Sequence, residues 1–246
     1  MRLGRYKLTI QYDGSAFFGW QLQIKERTVQ GVIEKAVQKI SGSDSRIPIH
    51  GAGRTDTGVH AMGQVAHVDL ETRLDEKDLK NALNGNLPLE CRIMDVEKVN
   101  DDFQARFDAT KRHYQYQCFT GDSILYKNQA WHLTNMNFHR LNQLASHIIG
   151  DHDFLSLSKF RDDLDHTRCI IYKSEWKSDG KMVIFHITGN RFLHHMVRYL
   201  VGTMVAVAEE RFSEEEFLSL LKNPLKDVQI FKAPAQGLIL VQVDYE

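Results

Sequence analysis

The chain has 246 residues, 31 Lys and Arg against 32 Asp and Glu for a formal charge of −1, and a hydrophobic fraction of 42%. That length supports one large domain or two small ones with an ample core, and the charge balance excludes a global basic field, so any nucleic-acid site must be local. Cys91, Cys118 and Cys169 lie far apart without a C-x-x-C pair, which argues against a zinc site and for a reduced cytosolic protein. No apolar run approaches the roughly 20 residues of a membrane span. A soluble, cytoplasmic protein without a membrane partner is expected.

In chain order, Tyr6 to Asp13 alternates Tyr6, Leu8, Ile10 and Tyr12 with Lys7, Thr9 and Gln11, the period of a half-buried strand. Ser15 to Arg27 sets Phe17, Phe18 and Trp20 beside Gln21, Gln23, Lys25 and Arg27. This reads equally as a loop that stacks on bases and contacts phosphates or as a buried aromatic cluster with a polar tail. Thr28 is placed to cap a helix whose apolar positions run from Val29 to Ile40, with Gly42 beyond its end. Ile47 to His50 is expected as a short strand into a glycine-rich loop, and Gln64 to Leu70 as the strand leading out. Leu74 and Leu79 flank Asp75 as a hydrophobic staple around an N-cap, the helix running through Ala82 and Leu83 toward Pro88. Arg92 to Val99 closes a β-α-β-β-α-β set, the ferredoxin-like unit.

The loop from His50 to Gly63, HGAGRTDTGVHAMG, has four glycines that let the backbone turn sharply and approach a ligand. Between them stand Arg54, Thr55, Asp56, Thr57 and His60, more polar side chains than a strand or amphipathic helix would choose. On spacing alone Asp56 reads as an Asx-turn residue bonding its own backbone, with a catalytic carboxylate as the sharper alternative. Arg54 is suited to bonding the surrounding backbone or a phosphate. A likeness to phosphoryl-aspartate enzymes is weak, because the lysine and metal-binding carboxylates they need are not adjacent.

From Lys111 the same order is read again. His113 to Phe119 alternates as a strand, and Asn137 caps a helix carrying Phe138, Leu141, Leu144 and Ile148 to Gly150. The loop Asp151 to Thr167 then inserts Phe154, Lys159, Phe160 and Arg161. Cys169 to Trp176 and Met182 to Thr188 form a hairpin around Ser178-Asp179-Gly180. Asn190 is expected to cap the longest helix, Arg191 to about Ala208, which would put Arg191, His195 and Arg198 on one face, with Gly202 permitting close packing. Adjacent helical residues diverge by about 100°, so His194 and His195 are not expected to share a metal. Ser213 to Glu216 is a capping box with Phe212 and Phe217 as its staple, and Leu238 to Val243 is the closing strand. The expectation is an α+β chain of two ferredoxin-like halves, 1–110 and 111–246, in pseudo-twofold arrangement, with a joined antiparallel sheet and a central cleft.

GRTDTGVHA resembles the signature of the tRNA pseudouridine synthase A family. The resemblance continues in order through Tyr12-Asp13-Gly14, Phe18 to Gln21, Thr28 to Gln30, Leu83-Asn84 with Leu87-Pro88, and Phe103 to Arg106. It then runs through Arg112 to Tyr116, His152 to Phe154, Phe192 to Gly202 and Pro234 to Leu240. It implies the pseudouridine synthase fold, with Asp56 as the essential aspartate, Tyr114 as the residue packing on the target base and Arg198 as the aspartate's partner. Leu238 is implied as an apolar residue lining the base pocket and Arg54 as a residue holding the flipped-out nucleotide. Thr55, Gly58, His60, Lys25, Arg27, Lys159, Arg161 and Arg191 are the further expected substrate contacts. One departure is Gln104 in Phe103 to Arg106, where histidine or aspartate is expected.

The activity so implied is conversion of uridine to pseudouridine at positions 38 to 40 of the tRNA anticodon stem-loop, without cofactor or metal. The family likeness also implies a homodimer with tRNA as its partner. The rival readings are a non-catalytic RNA-binding module or chaperone on the same scaffold and a synthase acting on another RNA. Retention of Asp56, Tyr114 and Arg198 together speaks against mere binding, which has no use for a carboxylate facing a polyanion.

Overall fold

Tyr6, Leu8, Ile10 and Tyr12 are all buried along β1 (Arg2–Tyr12) in the computed structural model, which describes residues 2–134, 136–160 and 164–245. The chain folds as two compact units, one running to Thr110 and including the stretch from Leu240, the other Lys111–Ile239. The first continues with α1 (Val29–Ser41), β2 (His50–Gly51), β3 (His60–Thr72), α2 (Glu76–Asn84) and β4 (Cys91–Val99). β1 pairs antiparallel with both β3 and β4, and β2 pairs antiparallel with β3. The resulting order β4-β1-β3-β2 is that of the β-α-β-β-α-β unit read from the sequence. Val29, Ile33 and Val37 of α1 and Leu79 and Leu83 of α2 are buried with Leu8 and Ile10 to form its core.

The second unit contains β5 (Lys111–Phe119), β6 (Trp131–His132), α3 (Phe138–Ser146), β7 (Gly150–Asp153), β8 (Arg168–Asp179), β9 (Met182–Gly189), α4 (Met196–Ala208) and α5 (Glu214–Lys222). β5-β9-β8-β7 are antiparallel neighbours, with β6 parallel to β5. α3 packs on β8 and on α4, burying Leu141, Leu144, Trp176, Met196 and Leu200. The last strand, β10 (Leu238–Asp244), counts with the first unit from Leu240 onward. It passes β3 so closely that a Cβ at Gly63 would lie 2.4 Å from the Val241 carbonyl oxygen.

The helix starts follow local chemistry. Thr28 Oγ1 accepts from Gly31 N–H at 3.2 Å, Asp75 from Asp78 N–H at 2.8 Å and Asn137 from Arg140 N–H at 3.1 Å. Ser213 and Glu216 make both bonds of the capping box. Each cap contributes about 1 kcal/mol.

Several expectations need correction. α4 begins at Met196, not Arg191, and His195 precedes it in the left-handed region at φ 63°. Asn190 instead accepts from Ile170 N–H at 2.9 Å through its side chain and donates its own N–H to the Ile170 carbonyl, tying the end of β9 to β8. Arg191 and His195 therefore do not share a helical face with Arg198. His194 and His195 lie before the helix and do not diverge as helical neighbours would, their ring centroids being 3.9 Å apart. The strand expected over Ile47 to His50 is only His50–Gly51, and the strand leading out of the loop starts at His60 rather than Gln64. Finally, the expected loop from Asp151 opens with three residues of β7, paired to β8.

Candidate active site

Asp56 lies in the turn between β2 and β3, half-buried between buried Thr55 and exposed Thr57. Its main-chain carbonyl accepts from Val59 N–H at 3.1 Å, closing a β-turn whose third residue, Gly58, has φ 81°. The main chain on either side is fixed from outside the loop. Ala52 N–H donates to the Val65 carbonyl at 2.7 Å and Trp20 N–H to the Thr55 carbonyl at 3.1 Å. Fully buried Gln64 donates its side-chain amide to the Gly53 carbonyl at 2.9 Å.

The stretch from Tyr12 to Trp20 acts as a brace for this turn. β1 shifts register against β3 between Ile10 and Tyr12, and the Tyr12 hydroxyl then lies 2.7 Å from Thr55 Oγ1 in a buried hydrogen bond. Gly19, at φ 82°, presses on the residues carrying the carboxylate: a Cβ there would stand 2.7 Å from the Thr55 carbonyl oxygen and 3.2 Å from the Asp56 carbonyl carbon. At Gly14 a Cβ would fall 2.0 Å from the Val59 carbonyl oxygen, which no side chain can occupy. Phe17 and Trp20, each 2% exposed, flank Tyr12 with ring centroids 6.4 and 6.3 Å away. The aromatic stretch is thus mainly a buried cluster beneath the turn, and of its three aromatics only Phe18 is exposed.

His60 has a structural contact. Its Nδ1 lies 3.1 Å from Gly14 N–H and 3.2 Å from Asp13 Oδ1. An amide can only donate, so Nδ1 accepts that proton and the neutral ring carries its own on Nε2. In that tautomer Asp13 makes no ion pair with the ring, and its carboxylate instead accepts from Ser15 N–H at 3.0 Å.

In the second unit Tyr114 is half-buried on β5 and meets the edge of Phe192 with centroids 5.1 Å apart. Arg198, on the first turns of α4, donates Nε to the Ala233 carbonyl at 2.9 Å, and Ala233 N–H returns a bond to the Arg198 carbonyl. Gly202, one turn on, admits Phe231 and Ala233: a Cβ would meet the Phe231 carbonyl oxygen at 2.4 Å. Leu238 is buried, and Tyr116 next to Gly237 donates its hydroxyl to the Pro234 carbonyl at 2.8 Å, its burial pushing the phenol pKa far up. Exposed Lys159 joins this unit's candidates through its N–H bond to the His194 carbonyl at 2.9 Å, while Arg191 is half-buried.

Other expected contacts fare differently. Lys25 and Arg54 are exposed, but Arg27 is engaged, donating to Glu90 Oε2 at 2.9 Å with its guanidinium 4.8 Å over the Phe17 ring. Arg161 lies outside the described residues. The cysteines are free and buried, and burial pushes the Cys91 and Cys169 thiols up to about 12, so neither is a nucleophile at neutral pH. Sequence reasoning missed Tyr12, Gly14, Gly19 and Gln64 as supports of the turn. Tyr12-Asp13-Gly14 and Phe18-Gly19-Trp20 were visible as blocks, but what they touch is some 40 residues away in the chain.

An α+β chain with a main-chain-clamped turn presenting one carboxylate is matched by the family model described as tRNA pseudouridine synthase, over residues 8–108 and 144–246. The chain belongs to that family, whose members are isomerases, and its mostly antiparallel α+β architecture fits the pseudouridine synthase fold. A tRNA pseudouridine synthase A of Ehrlichia chaffeensis is 39% identical, aligned over 98% of this chain and all of that protein. Those of Bradyrhizobium diazoefficiens and Bacillus licheniformis are 37% and 34% identical, each over 98% of this chain and 99% of the relative. A crystal structure of a Cbf5-Nop10-Gar1 complex aligns with 95% of this chain and 57% of its own at 11% identity and a TM-score of 0.38, a likeness too low to carry an argument.

Proposed function

We propose that this chain isomerises uridine to pseudouridine at positions 38 to 40 of the tRNA anticodon stem-loop, with Asp56 as the essential carboxylate. The observation that carries the reading is the family match across both units, including GRTDTGVHA, where Asp56 stands in a turn clamped by its main chain. The reaction breaks the N1–C1′ bond, turns the uracil and rejoins it through C5, with the C5 proton lost and N1 protonated. No oxidant or reductant is needed. A base in a stem must first be flipped out, at a cost of a few kcal/mol for lost stacking. In this proposal Tyr114 restores stacking, Leu238 lines the base pocket and Arg54 holds the extruded nucleotide.

Asp56 acts either as a nucleophile or by stabilising sugar cation character and assisting proton transfer. Arg198 balances its charge, and Lys25, Lys159, Arg161 and Arg191 meet phosphates. Thr55, Gly58 and His60 serve by holding the turn; Arg27, with Nη2 on Glu90 and Nη1 3.5 Å from the Ala16 carbonyl, keeps Nε for a contact to RNA. A homodimer in the cytoplasm completes the proposal, since one near-neutral subunit offers less basic surface to an L-shaped RNA than two. Mapping pseudouridine in tRNA from cells with and without this chain tests it. Loss confined to positions 38 to 40 is expected, and unchanged modification there would overturn it.

A further inference from the structure

The face of the first unit formed by α1 and the turn after α2 holds an open, shallow depression of about 410 Å³ whose lining includes Arg27, Lys35 and Lys39. Lys35 and Lys39 are exposed and lie one turn apart on α1, where like charges repel. Lys39 is favoured by the C-terminal end of the helix dipole, but Lys35, two turns from the start of α1, gains little from it. Among the described residues neither lysine makes an ion pair, and the only acid tied to the group is Glu90, on Arg27. Three cations against one carboxylate is a local excess in a chain whose formal charge is −1.

The opposite wall is the C-terminal end of α2, where the carbonyls that would compete for the lysines already have donors. The last carbonyls of α2 are covered: Asn81 accepts from Gly85 N–H, Leu83 from Asn86 N–H and Ala82 from the Asn86 side-chain amide, each at 2.9 Å. Leu87 and Pro88 finish the lining with apolar surface. Three cations beside the apolar surface of Val32, Leu87 and Pro88, with room for more than a single ion, suit a sugar-phosphate unit. Arg27 also bridges to the brace of the Asp56 turn, through Phe17 below its guanidinium.

We propose that this depression is a seat for the phosphodiester backbone of the tRNA substrate, with Lys35 and Lys39 as its unassigned contacts. The proposal rests on the tRNA reading above and adds a docking point on the helical face of the first unit. It predicts counterion release at two further phosphates.

The test is tRNA binding by the full-length double variant Lys35→Gln/Lys39→Gln across a salt series, beside its kinetics. The slope of log K against log salt should become shallower by about 1.4 to 1.8, affinity should fall several-fold, and the loss should be carried by KM. Lys35→Glu alone should weaken binding further than Lys35→Gln. An unchanged slope and KM, with wild type active in the same reactions, would overturn the seat while leaving the enzymatic reading intact. Absence of pseudouridine from the wild type would instead count against that reading. A site that binds inorganic phosphate or UMP through these lysines, with tRNA affinity unaffected by their loss, would also overturn it.

Discussion

The Tyr12 hydroxyl and Thr55 Oγ1 share a buried hydrogen bond of 2.7 Å, joining the end of β1 to the residue immediately before Asp56. This bond ties the brace to the neighbour of the proposed catalytic carboxylate. Tyr12→Phe removes it while keeping the ring packed against Phe17 and Trp20. Such a change should cost about 1 to 3 kcal/mol, because Thr55 Oγ1 is left buried. Turnover should fall with KM nearly constant. Adding Thr55→Val removes the stranded oxygen and should recover stability without recovering turnover, as thermal unfolding and steady-state assays on the three variants would show. Equal recovery of both would mean that the bond is merely structural.

Glycines of the same region should respond in opposite ways. A Cβ at Gly14 meets the Val59 carbonyl oxygen at 2.0 Å, backbone that cannot yield without displacing the turn, whereas at Gly53 nothing lies within 4 Å. Gly14→Ala should destabilise by about 3 kcal/mol or more, at or above the upper end for overpacked sites, and Gly53→Ala by no more than about 0.5 kcal/mol. Urea unfolding of the two variants decides it, and similar midpoints would contradict the packing described.

Acid should loosen the first unit through His67. Burial first, then the nearby Arg5 guanidinium and His50, lower its pKa from 6.5 to about 4, and its Nδ1 accepts from Ala105 N–H at 3.1 Å. Between those two pH values the unfolded chain binds a proton that the folded chain refuses, so this contribution is full above pH 6.5 and is lost as pH falls toward 4. It amounts to about 3 kcal/mol at most. In calorimetry from pH 7.5 to 4.5, His67→Gln, which keeps an acceptor but does not titrate, should show a flatter fall in Tm than the wild type. Parallel curves would show that other groups set the acid limb.

Much of the first unit was legible because its signals are local. Tyr6 to Tyr12 alternate toward one core, and Thr28 and Asp75 cap through bonds three residues long. α4 was misplaced because Phe192, Leu193, Met196 and Val197 continue an apolar pattern while Asn190 spends its side chain on Ile170, a partner 20 residues away. The positive φ of His195 carries no sequence mark. The Asp56 turn could be seen as a turn, but its clamps could not. Gly14, Gly19 and Gln64 differ from ordinary loop and strand residues only in what they touch.

Arg198 separates a functional from a structural role. Its Nε bond to the Ala233 carbonyl would by itself make Arg198→Met cost about 1 kcal/mol and leave chemistry alone. If it balances Asp56 as proposed, single-turnover pseudouridine formation should fall on the order of 100-fold. A near-normal rate would reduce Arg198 to a contact within its own unit.

If Asp56 performs the chemistry as proposed, Asp56→Asn should abolish it, because size and hydrogen-bonding capacity are kept while the charge is deleted. The measurement is tritium release from uridine-labelled tRNA, run beside thermal unfolding and tRNA titration of the same preparation. Release should drop on the order of 1,000-fold or more, with Tm and tRNA affinity close to the wild type. A variant that binds tRNA normally and still releases a substantial fraction of the wild-type tritium would contradict the account.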